Sequence, residues 1–357
     1  MGGSRLRHGQ PLARGARVLG TVCLGVLALA CLGWIIRDLS EAHDVTDVWW
    51  LWTGLTYRAE GGVWVGSGLD FLLLMIYVVS AAVTLRSSSA AGILASTGVA
   101  TIALRLPSVW TFDADQLSGI EDTLRTQTQV TTYGSLALGV ALIVTAMLGR
   151  RPPEADNYGN QAEQAPLRPR PGPAVVAALL LGFAGLSLGA WQVYYLTDVS
   201  WEAYEEALVG DQGLVSLLDV PAAWTAWTLV LLCLAAAGAA VVRATFARPL
   251  GLVAAGFALV SSIFSVAAAG KQELMEHLAD LPTDVRLSLL NELVLCVAAL
   301  AVLFVLGYAP PRFGPTGNQP PYPPYAAGGS GPAAYGGYGG YGGQGSGYGG
   351  PPPPSGW

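Results

Sequence analysis

The chain has 357 residues, of which 52% are hydrophobic and 12% charged, with a formal net charge of −6 and a positive mean hydropathy. A soluble globular chain carries roughly 25% charged residues, so this composition excludes an ordinary soluble domain. The charge is also uneven, because apolar runs near the ~20 residues that cross a bilayer alternate with short polar segments. The sequence predicts an integral membrane protein, with the lipid bilayer as its first partner.

In chain order, spans are predicted at about 17–36, 69–86, 90–110, 133–149, 173–195, 222–242, 249–270 and 288–308. The Arg-containing start followed by "VLGTVCLGVLALAC" has the shape of a signal peptide. Its apolar run continues through Gly33, Trp34 and Ile36, however, which is long enough to span. All four cysteines (Cys23, Cys31, Cys233, Cys296) fall inside apolar runs, at spacings of no metal or redox motif, and read as small packing residues.

Arginine and lysine stay on the cytoplasmic side of a membrane. With the N-terminus inside, the inner segments hold twelve of the eighteen basic residues, among them Arg14, Arg17, Arg86, Arg150, Arg151, Arg243 and Arg248. Both termini are therefore expected in the cytoplasm of a multi-pass cell-membrane protein.

A shift of 158 residues superimposes "ALIVTAMLGRRPP" (141–153) on "ALAVLFVLGYAPP" (299–311), with seven of thirteen positions identical. The same shift places Gly98 on Gly256, and a shift of 157 places Trp34 on Trp191. The expected architecture is an all-α membrane protein of eight transmembrane helices, built as two tandem parallel four-helix repeats. The domains are then a cytoplasmic N-terminus (1–16), a first repeat (17–149), a cytoplasmic linker (150–172), a second repeat (173–308) and a C-terminal tail (309–357). From residue 313 the tail has no charged residue and runs "QPPYPPY" and "YGGYGGYGGQGSGYGGPPPPSGW". Gly and Pro at that density cannot bury enough apolar surface to fold, so the tail is expected to be disordered. Its tyrosines suit weak docking of protein partners.

Ten tryptophans besides Trp357 lie in outer loops or at outer helix ends in this topology. They read as an interfacial belt or an extracellular cap, with an aromatic ligand site as the alternative. "VWWLWTGLTYRAEGGVWVGSGLDF" (48–71) concentrates four of them. Near the outer boundary, Asp70 opens span 2, Arg105 closes span 3 and Glu292 sits in the first turn of span 8. There snorkelling is available, and Asp70 and Arg105, on consecutive spans, are placed to face each other. The candidate outer ligand or ion-pair site is Trp49, Trp50, Trp52, Asp70, Arg105 and Glu292.

The outer segments "SWEAYEEALV" (200–209) and "QELMEHLADL" (272–281) have helix-forming content. The latter sets Glu273, His277 and Asp280 on one helical face, a pattern shared by metal sites and solvated surfaces. No nucleophile motif, P-loop, dinucleotide fingerprint or intramembrane His pair is present. No catalytic residue, cofactor, metal or nucleic-acid partner is expected, and the chain reads as a non-enzyme.

Eight spans with a "PPYPPY" and "YGGYGGYGG" tail resemble uncharacterised multi-pass membrane proteins of actinobacteria. The resemblance rests on architecture and tail composition and transfers no site residue. The first functional expectation is a scaffold or envelope-sensing partner. The second is a transporter or channel for a small solute or cation, using the two repeats.

Overall fold

Eleven helices build the residues described by the computed structural model, which are 10–56, 63–111, 121–151, 169–210 and 216–308. In order they are α1 (Arg14–Ser40), α2 (Val45–Trp52), α3 (Gly68–Thr84), α4 (Ala90–Arg105), α5 (Ser108–Thr111), α6 (Asp122–Leu148), α7 (Pro171–Asp198), α8 (Trp201–Val209), α9 (Ala222–Val241), α10 (Ala247–Lys271) and α11 (Thr283–Gly307). The tail, residues 1–9 and most of the linker, with the expectations attached to them, lie outside the described residues.

Among the described residues, seven helical stretches are long and apolar enough to cross a membrane: α1, α4 continued through α5, α6, α7, α9, α10 and α11. The remaining apolar helix, α3, has 17 residues and measures only about 25 Å at 1.5 Å per residue. Pro107 explains why α4 stops at Arg105: it cannot donate to a preceding carbonyl, and α5 restarts from its own carbonyl through the Thr111 N–H.

These helices are patterned inside out relative to water-soluble ones. α6 buries Thr128, Thr132, Ser135, Gly139, Leu142 and Ala146, a stripe at helical spacing. The same helix leaves Val130, Val140, Val144 and Met147 exposed. Exposed apolar surface on this scale has a lipid-facing role, while small and hydroxylated residues let helices approach closely. At the α4–α6 crossing a Cβ on Gly98 would stand 2.7 Å from the Gly139 carbonyl oxygen. In α7, Gly182, Gly185 and Gly189 face Ala237, Leu234 and Val230 of α9, so this small-residue row is used within the chain.

Packing follows the same order in both halves of the chain. α1 packs on α3 and α4 on α6, and α7 packs on α9 and α10 on α11. The first helix of each half also meets the last, α1 with α6 and α7 with α11. The halves meet mainly through α10 against α3 and α4.

The two ends of the bundle differ chemically. At one end, arginines close main-chain carbonyls: Arg17 donates to Leu12 O, Arg150 to Ala146 O, Arg243 to Pro169 O and Arg248 to Leu306 O. The other end gathers the tryptophans. There α8 is capped by Ser200, which accepts from Ala203 N, and is closed by Gly210 at φ 92.

The segment 272–281 departs from its helical expectation. It forms consecutive turns closed by i+3 bonds, Glu276 N to Glu273 O and Asp280 N to His277 O. Glu273 at φ 58 leaves the right-handed helical region, which ends α10 before its helix-forming residues are used. Among the described residues no group of three His, Cys, Asp or Glu is disposed to hold a metal ion.

Candidate functional site

The site is built around a stretch with no helix. Residues 63–67 have no regular secondary structure, and Trp64, Val65, Gly66 and Ser67 are all buried. Non-helical backbone inside a membrane bundle must find partners in the protein, since lipid supplies none. Here the partners are two carboxylates. Asp38, in the last turn of α1, accepts from Val65 N at 3.2 Å and Gly66 N at 2.6 Å. Asp70, in the first turn of α3, accepts from Ser67 N at 2.8 Å. Three consecutive amides thus divide between two acids, and a Cβ on Gly66 would lie 2.9 Å from Asp38 Oδ2 and 3.6 Å from Asp70 Oδ2. Glycine is required at 66 for that approach.

Each acid has its own arginine. Arg37 donates to Asp38 at 2.9 Å and to Val63 O at 2.8 Å. Arg105, at the end of α4, donates to Asp70 and reaches Cys31 Sγ at 3.7 Å. Asp70 and Arg105 are 0% and 2% exposed, which corrects the snorkelling expected for them. The contact with Cys31 explains the difference: Cys31 lies four residues, or about 6 Å, from the midpoint of α1. Removing one partner of such a pair strands a charge in a low dielectric.

Below the ion pair a polar column runs between α3 and α4. Tyr77 Oη is 3.0 Å from Thr101 Oγ1, and Ser80 Oγ is 3.0 Å from Thr97 Oγ1. Thr84 donates to Ser80 O at 2.6 Å. Asp70, Tyr77, Ser80 and Thr84 share one face of α3 by helical spacing, and Thr97, Thr101 and Arg105 share one face of α4.

Of the candidate tryptophans, Trp49 and Trp50 lie over the junction of the halves, whereas Trp52 packs within the first half. Trp49 meets Phe264 of α10 edge to face at 5.6 Å, and Trp52 stacks on Phe71 at 5.3 Å. Lys271 Nζ stands 5.2 Å from the Trp50 ring centre, a cation–π contact. The halves are also tied in both directions: Trp224 of α9 donates to Ala103 O at 2.7 Å, and Trp110 of α5 donates to Val209 O at 2.9 Å. Trp34 donates to Thr131 at 3.2 Å.

Glu292 is apart from both groups. α11 begins at Thr283, earlier than the sequence suggests, so Glu292 is not in a first turn. It stands three residues from the helix midpoint, residue 295 of 283–307. It is half-buried and shares a hydrogen bond with the buried Ser262 of α10. The six sequence candidates therefore divide into an ion pair, an aromatic junction and a separate carboxylate.

Sequence reasoning missed Asp38 and the buried segment 63–67. Predicting the end of span 1 at residue 36 left Asp38 outside the span, and nothing local to 63–67 tells which acids meet its amides. The usable signal was an Asp following a long apolar run, with "GSG" just ahead of a second acid.

These features define an all-helical apolar bundle, consistent with a multi-pass membrane protein. No protein-family model matches the chain, and no curated protein or solved structure is significantly similar to it.

Proposed function

We propose that the chain is a non-enzymatic scaffold or envelope-sensing partner of the cell membrane. In this reading it has eight spans, α3 included, arranged as two parallel four-helix repeats with both termini cytoplasmic. The recurring order of helix packing in the two halves supports the duplication. The observation that carries the reading is the aromatic junction: α2, α3, α5, α8, α9 and α10 are tied together there by tryptophan rings and indole N–H groups. Such a cap makes a rigid outer surface, and the Gly/Pro/Tyr tail supplies an inner docking arm. Its composition and the overall span pattern keep the resemblance to actinobacterial multi-pass proteins within this proposal.

The test compares full-length protein with a 313–357 deletion. The scaffold reading expects affinity capture from membranes to lose specific partners on deletion. Capture unchanged by the deletion, together with solute flux in proteoliposomes of purified protein, would sink it. The second reading, transport of a small solute or cation, is favoured by the hydroxyl column between α3 and α4.

A further inference from the structure

The buried Asp38 and Asp70 each have an arginine and at least one backbone amide. The half-buried Glu292 has neither. Its position on α11 is nevertheless an interior one. Leu289, Leu295, Ala299, Val302 and Leu306 are buried, and residue 292 completes that stripe at steps of three and four, facing the helices α11 packs on, α10 and α7.

The groups those helices offer are neutral at this level. α10 presents Ser262, 1% exposed, which hydrogen-bonds Glu292. α7 presents Ser187, which bonds the neighbouring Asn291. Cys296 lies one turn along α11. The charged groups of these elements stand at their ends and are engaged elsewhere. Arg286, six residues or about 9 Å along the axis, donates to Ala279 O and Leu281 O. Lys271 sits over Trp50, Arg248 closes the end of α11, and Asp284 and Asp198 lie near Tyr194 at the tryptophan-rich end. Among the described residues no basic side chain pairs with Glu292.

A carboxylate in apolar surroundings without a counter-charge is stable only when it takes up a cation, and the proton is the one always at hand. We propose that Glu292, with the Ser262 hydroxyl, is a reversible proton-binding site in the second half of the bundle. This inference depends on neither functional reading above. A scaffold would gain from it a pH-dependent contact between α10 and α11, and a transporter an exchangeable charge.

The experiment uses the full chain in lipid vesicles and the apolar reagent dicyclohexylcarbodiimide. The reagent takes the proton of a carboxylic acid on nitrogen while the acid oxygen bonds its central carbon; the acyl group then migrates to nitrogen, leaving a stable N-acylurea. Peptide mass spectrometry after labelling between pH 6 and pH 9 is expected to find the adduct on Glu292, with yield falling at least severalfold as pH rises. Glu292→Gln should remove the adduct, and Ser262→Ala should shift the pH at which labelling is lost. A water-soluble carbodiimide with an amine should mark the exposed Glu276 and Asp284 and spare Glu292. Absence of the apolar adduct at every pH, a yield independent of pH, or labelling of Glu292 by the water-soluble reagent as readily as Glu276 would overturn the proposal.

Discussion

The halves of this bundle share an order of helix packing but fill their interiors with different chemistry. The N-terminal half, α1 to α6, buries Asp38, Asp70, Arg105 and a set of hydroxyls that includes Tyr77, Ser80, Thr97 and Thr101. The C-terminal half, α7 to α11, buries alanines in the same role, among them Ala236, Ala237, Ala240, Ala254, Ala255 and Ala258. Without a hydrophobic force to bring helices together in lipid, both solutions are available: hydrogen bonds between helices, or close contact through small side chains. The alanine interior tolerates loss of any one contact. The polar interior is specific, since each group that loses its partner is left unsatisfied.

The sharpest way to break this contrast is to halve the ion pair. Arg105→Met leaves Asp70 buried without its cation and should cost about 3–5 kcal/mol, read as a large fall in the unfolding midpoint of detergent-solubilised protein. Combining it with Asp70→Asn should restore much of that loss, because a neutral amide needs no counter-charge and its oxygen can still accept from Ser67 N. If the double variant is as unstable as the single, the pair is not the main partner of either residue.

Glycines that superimpose under the 158-residue shift give the next comparison. At Gly98 an added Cβ meets backbone of α6, whereas at Gly256 nothing lies within 4 Å. Gly98→Ala should therefore cost about 1–3 kcal/mol, and Gly256→Ala should change thermal stability far less. Equal effects at the two sites would mean that the halves are packed alike after all.

Trp224→Phe keeps an aromatic ring but removes the 2.7 Å bond to Ala103 O. A loss of about 1 kcal/mol is expected, with faster hydrogen exchange at the junction of the halves as the distinguishing readout.

The smallest effect concerns α2, which belongs to the first half alone in carrying "WWLW". Asp44 caps it by accepting from Thr46 N at 2.9 Å, and this bond holds the carboxyl below its ordinary range. A group lowered on folding stabilises above its unfolded value of about 3.9 and ceases to do so as pH falls through the folded value. Protection of the Thr46 amide, its exchange taken relative to the intrinsic rate at each pH, should fall on acidification below that point. Asp44→Ala should lower that protection at neutral pH and abolish its acid dependence.

Much of the helix register was legible because length and apolarity are local properties. α9 and α10 begin and end within about two residues of their predicted bounds, and α8 was visible in "SWEAYEEALV". What stayed hidden was decided by contacts distant in sequence. Asp38 and Asp70 are 32 positions apart, and only the fold brings both to the amides of 65–67. Glu292 was visible as a candidate, but its depth was not. A boundary set five residues late put it at a membrane surface, where the helix in fact continues through Asp284 and Arg286. The aromatic junction was read as a layer because sequence cannot tell which half of the chain each ring touches.

The buried non-helical segment 63–67 also sets an order of events during synthesis. The carbonyls of Trp64 and Val65 are met by the amides of Leu217 and Leu218, at 3.1 and 2.9 Å. A ribosome that has delivered only the first six helices has therefore released a half in which two backbone acceptors of a buried segment are still waiting. Cutting the chain between α6 and α7 and expressing both fragments should let them find each other in the membrane. Expressed alone, the N-terminal fragment should be recognised as unfinished and degraded.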